Sequence, residues 1–474
     1  MRVKQTKHRN RQQHSRAVTA LVCCVFFATL LSYEARIASA QEMRDINPNI
    51  QAPLKIDPQR VAANGLRVIE GKHLTLYTDL PSAESIDELP QLFDAAIPQW
   101  CQYFAVDPKQ AEPWKLQGFL IRDKQRFENA GLIPENLPNF PAGINRGHEL
   151  WVHVQPDDYY TRHLILHEGT HAFMQWFGNG VGAPWYAEGM AELLALHQWR
   201  DGELKMVHDV SSTTEVPGWG RPTLIKQWIA DNALTQKDKA KDKALRDVLQ
   251  THARSFGDVI NYAWCWAACE FLSKHPLTKD RFDELQKSVH LSAEQFNEAF
   301  LKLFAGELDQ LERDWAWYLR EMDYGYRVAR GAPSPLRRSK TEDRFYELQS
   351  NRSWQIMDVP VSAGEKFRVW AQGRFEIGSS LVDGQQKPWP CEANGITIDW
   401  FRGRPIGELQ GFVIPSGENV AHLPLICRQN PISIGNSGEI VADADGWLCF
   451  RINESPANLL DNRGSLKLAI EKIE

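Results

Sequence analysis

Two histidines four residues apart, with a glutamate directly after the first, constrain this chain more than any other feature: His167-Glu168-Gly169-Thr170-His171. At 3.6 residues per turn, positions i and i+4 of a helix stand one above the other. Leu164, Ile165, Leu166, Ala172, Phe173 and Trp176 supply an apolar face around the motif, so the spacing predicts a helix over Arg162–Phe177. Both imidazoles then face one way, where a single tetrahedral zinc ion can take both. Glu168 falls beside such an ion rather than on it, as a general base for a zinc-bound water must. The alternative is a pair of core histidines. Phe177 stands at the sixth position after His171, where a metzincin carries its third histidine, so that pattern is excluded.

Downstream stands Pro184-Trp185-Tyr186-Ala187-Glu188-Gly189-Met190-Ala191-Glu192. With this segment the chain resembles the gluzincins, zinc peptidases whose third ligand is a Glu on a following helix. More closely it is similar to the bacterial peptidase MA-like group with its P-W-x-x-E-G-x-A-E signature. The resemblance implies a zincin-like fold, a zinc metallopeptidase activity on a peptide or protein substrate, and Glu188 as third metal ligand beside His167 and His171. It implies that Glu192 orients a ligand histidine from behind, although the pattern more often has Asp there. The gap from His171 to Glu188 is shorter than in the aminopeptidase branch, so that specificity is not carried over. The two helices are expected to pair antiparallel across Gly178–Pro184.

Two further positions follow from the same resemblance. The alternating stretch His148–Gln155 corresponds to the strand at the edge of a gluzincin cleft, which can bind an extended peptide as an added strand; the alternative is an ordinary sheet edge. Tyr262 corresponds to a tyrosine whose hydroxyl donates to the oxyanion of the tetrahedral intermediate; the alternative is a core aromatic of a Trp-rich helix.

The first forty residues are of another kind. A basic start (Arg2, Lys4, Lys7, Arg9, Arg11, Arg16) precedes an apolar run from Ala17 to Leu31, and Ala38-Ser39-Ala40 gives a small-x-small cleavage pattern. A bilayer span needs about 20 apolar residues, so the segment reads as a signal peptide cut after Ala40, the alternative being an uncleaved anchor. The expected location is secreted or periplasmic, with no membrane span after cleavage. Residues 1–40 hold seven Lys/Arg and one acidic residue, so their removal takes the formal charge from −6 to −12. Such an acidic surface argues against nucleic acid as a partner. Six cysteines remain, none in a C-x-x-C pair. Cys391, Cys427 and Cys449 share one region and are the candidates for a disulfide, whereas Cys265 and Cys269 read as small core residues.

The organisation expected is a signal peptide (1–40), an extended leader (41–60), an α+β zincin-like catalytic domain (61–326), an exposed Pro/Gly/basic linker (327–349) and an all-β sandwich domain (350–474). The last rests on short apolar runs split by Gly, Pro and Asn, such as 367–371, 395–401, 447–452 and 465–470. Its tail, Asn453 to Ile470, weakly resembles the small calcium-dependent galactophilic lectin of Pseudomonas. That resemblance implies Ca2+ held by Glu454, Asn458, Asp461 and Asn462, all oxygen donors, with a backbone carbonyl near Ile377. The sugar-contacting run of the lectin meets Trp389-Pro390-Cys391-Glu392, which puts galactose specificity in doubt, and the alternative is hairpin turn residues. Two functions follow as expectations: an exported zinc metallopeptidase, or a carbohydrate-binding surface protein, with a cell-surface glycan as partner, on an inactive zincin scaffold.

Overall fold

The computed structural model describes residues 52–235, 243–340, 342–416 and 431–474; the segment read as a signal peptide, most of the expected leader and Cys427 lie outside them. Two units divide the chain. One holds the described residues up to Gln155 with His171–Asn179 and Arg200–Leu204; the other holds Pro156–Thr170, Gly180–Trp199 and the residues from Lys205 on.

The first unit is built on a five-stranded sheet of order β1-β2-β3-β5-β4, where β1 is Arg67–Glu70, β2 Leu74–Thr78, β3 Leu116–Ile121, β4 Gly143–Arg146 and β5 Glu149–His153. The three inner strands run parallel and the two outer ones antiparallel to them. Inner strands buried on both faces need apolar residues at consecutive positions, and every residue of β2 is buried. Helix α1 (Leu89–Tyr103) packs on β2 through a stripe of Leu89, Leu92, Phe93, Ala96, Ile97 and Trp100. Tyr77, Phe119, Ile121 and Trp151 gather with Val61, Leu66 and Phe127 in a second cluster. β5 carries the alternating stretch expected at the sheet edge, but β3 and β4 flank it on either side. Its backbone has no free side for another strand, and the edge is β4, inside what reads as a Pro/Asn/Gly loop.

The second unit has a helical part and an all-β part. The helices are α2 (Asp158–Phe177, whose last turns belong to the first unit), α3 (Pro184–Leu194), α4 (Arg221–Thr235), α5 (Val259–Lys274), α6 (Ala293–Leu303) and α7 (Leu308–Glu321). A short hairpin, β6 (His197–Arg200) and β7 (Glu203–Met206), follows α3. No described helix is long and apolar enough to cross a membrane.

The all-β part holds a seven-stranded and a six-stranded sheet. From the first, Leu348, Val369, Ile377 and Leu468 point into one core with Met357, Leu409, Val413 and Phe450 from the second, so the sheets face each other as a sandwich. Residues 327–349 are not an exposed connector. Ser334–Pro335 pairs in parallel with the strand Gln355–Val361, and Tyr346–Gln349 pairs with Arg463–Ile473. Apolar Leu336, Phe345, Tyr346 and Leu348 are buried there, which the basic residues between them mask in sequence. Cys391 and Cys449 are buried and not bridged to each other, and Cys427, the third candidate, lies outside the described residues; Cys101, Cys265 and Cys269 are likewise free and buried. Helix α7 abuts the sandwich through Trp317, which meets Trp354 and Phe412.

Candidate metal centre

Helix α2 begins at Asp158, where Asp157 Oδ1 accepts from the Tyr159 N–H at 2.7 Å and so satisfies one of the orphan donors of the first turn. From there His163, His167 and His171 stand at i, i+4 and i+8, a stripe along one face. His163, His167 and Glu168 are buried and His171 is half-buried. Helix α3 starts at Pro184, whose fixed φ suits a first helical position. Trp185 anchors it, donating from Nε1 to Asn297 Oδ1 at 2.8 Å and meeting Phe296 and Phe300 edge-on.

Gly189 permits the approach of α3 to α5. A Cβ there would lie 2.4 Å from the Cys265 carbonyl oxygen and 2.5 Å from Cys269 Sγ. One residue before Gly189 on the same helix, Glu188 faces α2 instead: its Oε2 lies 3.2 Å from His167 Nε2. His167, His171 and Glu188 each offer a ligand atom, and these atoms lie within 4.8 Å of one another.

A second triad overlaps the first. His163, His167 and Glu192 also bring ligand atoms within 4.8 Å. Glu192 Oε2 is 3.4 Å from His163 Nε2, and Oε1 is 3.7 Å from His167 Nδ1. The two nitrogens of His167 therefore face different carboxylates, Nε2 toward Glu188 at 3.2 Å and Nδ1 toward Glu192 at 3.7 Å, a charge contact longer than a hydrogen bond. A proton on Nδ1, toward Glu192, leaves the Nε2 lone pair for a metal.

The surroundings of the inner triad are closed. Arg221 grips Glu192 with both ends of its guanidinium, Nη2 to Oε1 at 2.8 Å and Nε to Oε2 at 3.0 Å, while Trp219 Nε1 donates to Oε2 at 2.9 Å. Arg221 also bonds the Trp219 carbonyl and the Tyr160 hydroxyl, and the Tyr160 ring stacks on His163. Burial alone would raise the Glu192 carboxyl, but Arg221 and His163 outweigh it and hold the group well below the usual carboxylate range. The outer triad is half-open, with the Glu188 side chain 19% exposed. Two imidazoles and a carboxylate that leave one side accessible are the donor set of a catalytic zinc site, and the residues present fit that ion.

Two more side chains adjoin. Tyr262, on α5, has its ring centroid 6.2 Å from that of His167, and its hydroxyl donates to the Phe256 carbonyl at 3.5 Å. Burial, then the negative charges of Glu188, Glu168 and Glu192, push the hydroxyl's pKa up, so it stays protonated and able to donate. Sequence reasoning missed His163, Trp219 and Arg221. His163 was legible as a third member of the i, i+4 series; the other two lie 27 and 29 residues from Glu192 and carry no local signal.

In the sandwich, Glu454 and Asn462 are buried together. Asn462 Nδ2 donates to Glu454 Oε2 at 2.6 Å and to the Ser350 carbonyl at 2.9 Å, and Asn462 Oδ1 is a buried atom with no hydrogen bond. Asn458 and Asp461 are exposed. Two of the four oxygen donors therefore meet side chain to side chain. Burial pushes the Glu454 carboxyl up to about 8, and Asp461 and Asp399 add to the rise.

No family model and no curated protein sequence matches the chain. A solved structure described as "EclA N-terminal domain; PllA-like lectin" is similar at 16% identity over 27% of this chain and 93% of its own, with a TM-score of 0.19, too low to carry an argument.

Proposed function

We propose that this chain is an exported zinc-dependent peptidase of the gluzincin type, with a zincin-like helical site and an appended sandwich. One observation carries the reading: Glu188, from a separate helix, reaches His167 at 3.2 Å while His171 stands one turn further along α2. His167, His171 and Glu188 would hold the metal, and Glu192 fixes the ring of His167. Zinc, when bound, supplies Lewis-acid chemistry, activating a water and polarising a substrate carbonyl.

The remaining roles belong to the chain's own groups. Glu168, buried and next to His167, takes a proton on its carboxylate from the attacking water and returns it to the leaving amine. Tyr262 donates from its hydroxyl to the developing oxyanion once it leaves the Phe256 carbonyl. The 3.5 Å bond it gives up is long and weak, which makes that exchange easy.

The test is elemental analysis of purified protein beside a quenched-peptide library. Wild type is expected to carry one zinc per chain and His167→Ala none. Glu168→Gln is expected to keep its zinc and lose about 10²–10⁴-fold in turnover. Zinc-loaded Glu168→Gln that hydrolyses as fast as wild type would contradict the role given to Glu168. Zinc-free wild type would end the peptidase reading.

A further inference from the structure

His167 belongs to two triads at once, and both have the residue types a zinc ion takes. An ion settling in the inner one would draw on the Nδ1 of His167 and on Glu192, and would leave the outer triad incomplete. Something must decide between them. The inner triad already contains a cation: the Arg221 guanidinium is 3% exposed and makes two hydrogen bonds to Glu192, one at each oxygen. Bidentate guanidinium–carboxylate pairs are the strong, directional form of this contact. Trp219 takes a further lone pair of Glu192, so both carboxylate oxygens are engaged before any metal arrives.

We infer that Arg221 is the resident cation of the inner triad, filling it so that Glu192 serves only to hold His167 by Nδ1 and the zinc is directed to His167 Nε2, His171 and Glu188. Arg221 and Trp219 are thus positioning residues that act through Glu192. The inference rests on the zinc reading above and adds the assignment of which triad is used and why. Its physical content is exclusion by like charge: a divalent ion entering the inner triad would sit within a few ångström of a desolvated guanidinium, which the low local dielectric makes strongly repulsive.

The test is a zinc titration of the metal-free full chain, with a competing chromophoric chelator and metal stoichiometry by elemental analysis. Wild type is expected to bind one zinc. Arg221→Met is expected to weaken that binding about 10–100-fold, the usual cost of losing the partner behind a ligand histidine, with the stoichiometry still one because the two triads share His167. Arg221→Lys, which keeps the charge and loses the fork, is expected to recover most of the affinity, a rescue that a purely structural salt bridge would not show in the metal titration. Trp219→Phe keeps an aromatic ring against Trp266, which it meets at 4.8 Å, and should lose a few-fold. If Arg221→Met does not fold, Arg221→Lys and Trp219→Phe decide. A wild type that binds one zinc, with an Arg221→Met (or, where that does not fold, a Trp219→Phe) of unchanged affinity and stoichiometry, overturns the inference alone; a wild type that binds none ends the zinc reading itself.

Discussion

Glu192 in the helical part and Glu454 in the sandwich are buried almost equally, 2% and 5% exposed, yet their charges go opposite ways. Glu192 has a guanidinium on both oxygens and is held well below the usual range. Glu454 has an amide donor from Asn462, and the charges that act on it, Asp461 and Asp399, are of its own sign, so burial prevails and its carboxyl rises to about 8. Burial sets the starting cost of a charge, and the partner decides whether the charge survives. Near neutral pH one site presents a fixed anion and the other largely a neutral acid.

Breaking the first half of this contrast should produce the largest change. Arg221→Met leaves Glu192 buried without its cation, and the metal-free protein should lose about 3–5 kcal/mol in denaturant unfolding; a loss below about 1 kcal/mol would mean the pair is dispensable. The second half is tested by Glu454→Gln. The folded pKa of about 8 exceeds the ordinary 4.5, so the folded form binds the extra proton between those values. Its stabilisation is complete below about pH 4.5 and is lost as pH rises through 8. The Gln variant should therefore match wild type in acid and exceed it by about 4 kcal/mol at pH 8, measured in chelator. Calcium that stabilises wild type at high pH, and does not stabilise the variant, would assign an ion to that corner.

Glu149 sharpens the comparison as an intermediate case. It accepts the Leu54 N–H at 2.7 Å and, under burial, rises to about 7. Its share of stability falls as pH climbs from about 4.5 to 7, and Glu149→Gln should remove that slope, worth about 3 kcal/mol at pH 8. Unchanged pH–stability curves would refute it. The smallest effect expected is that of Trp219→Phe, about 1 kcal/mol from one lost donor to Glu192, readable as a small shift in the unfolding midpoint.

What was legible in the sequence was what a helix writes locally. The spacing from His167 to His171 places two imidazoles by periodicity, and α2 covers the helix that spacing predicts, whereas the run from Pro184 to Glu192 spoke only through its resemblance to the gluzincins. Illegible were the choices made across the chain. Nothing near Glu192 announces Arg221, because a salt bridge between separate segments leaves no periodic trace. β4 was hidden because its four residues, Gly-Ile-Asn-Arg, are half-buried and follow a Pro- and Asn-rich stretch. Residues 327–349 look like a solvated connector because their buried positions are separated by arginines, one of which, Arg338, lies over the Tyr346 ring at 4.8 Å. A guanidinium lying over an aromatic ring hides burial behind a charge.

The residue without a side chain at position 189 has a consequence for how such a centre can vary. A methyl group on that carbon would meet main-chain carbonyl oxygen on the neighbouring helix, which cannot swing aside as a flexible side chain does. Relief would require the whole of the helix that bears Glu188 to shift against that neighbour, and the carboxylate would be carried with it. Tuning of the centre by substitution is thus blocked from behind, at an atom with no capacity to bind a metal, before any ligand is exchanged.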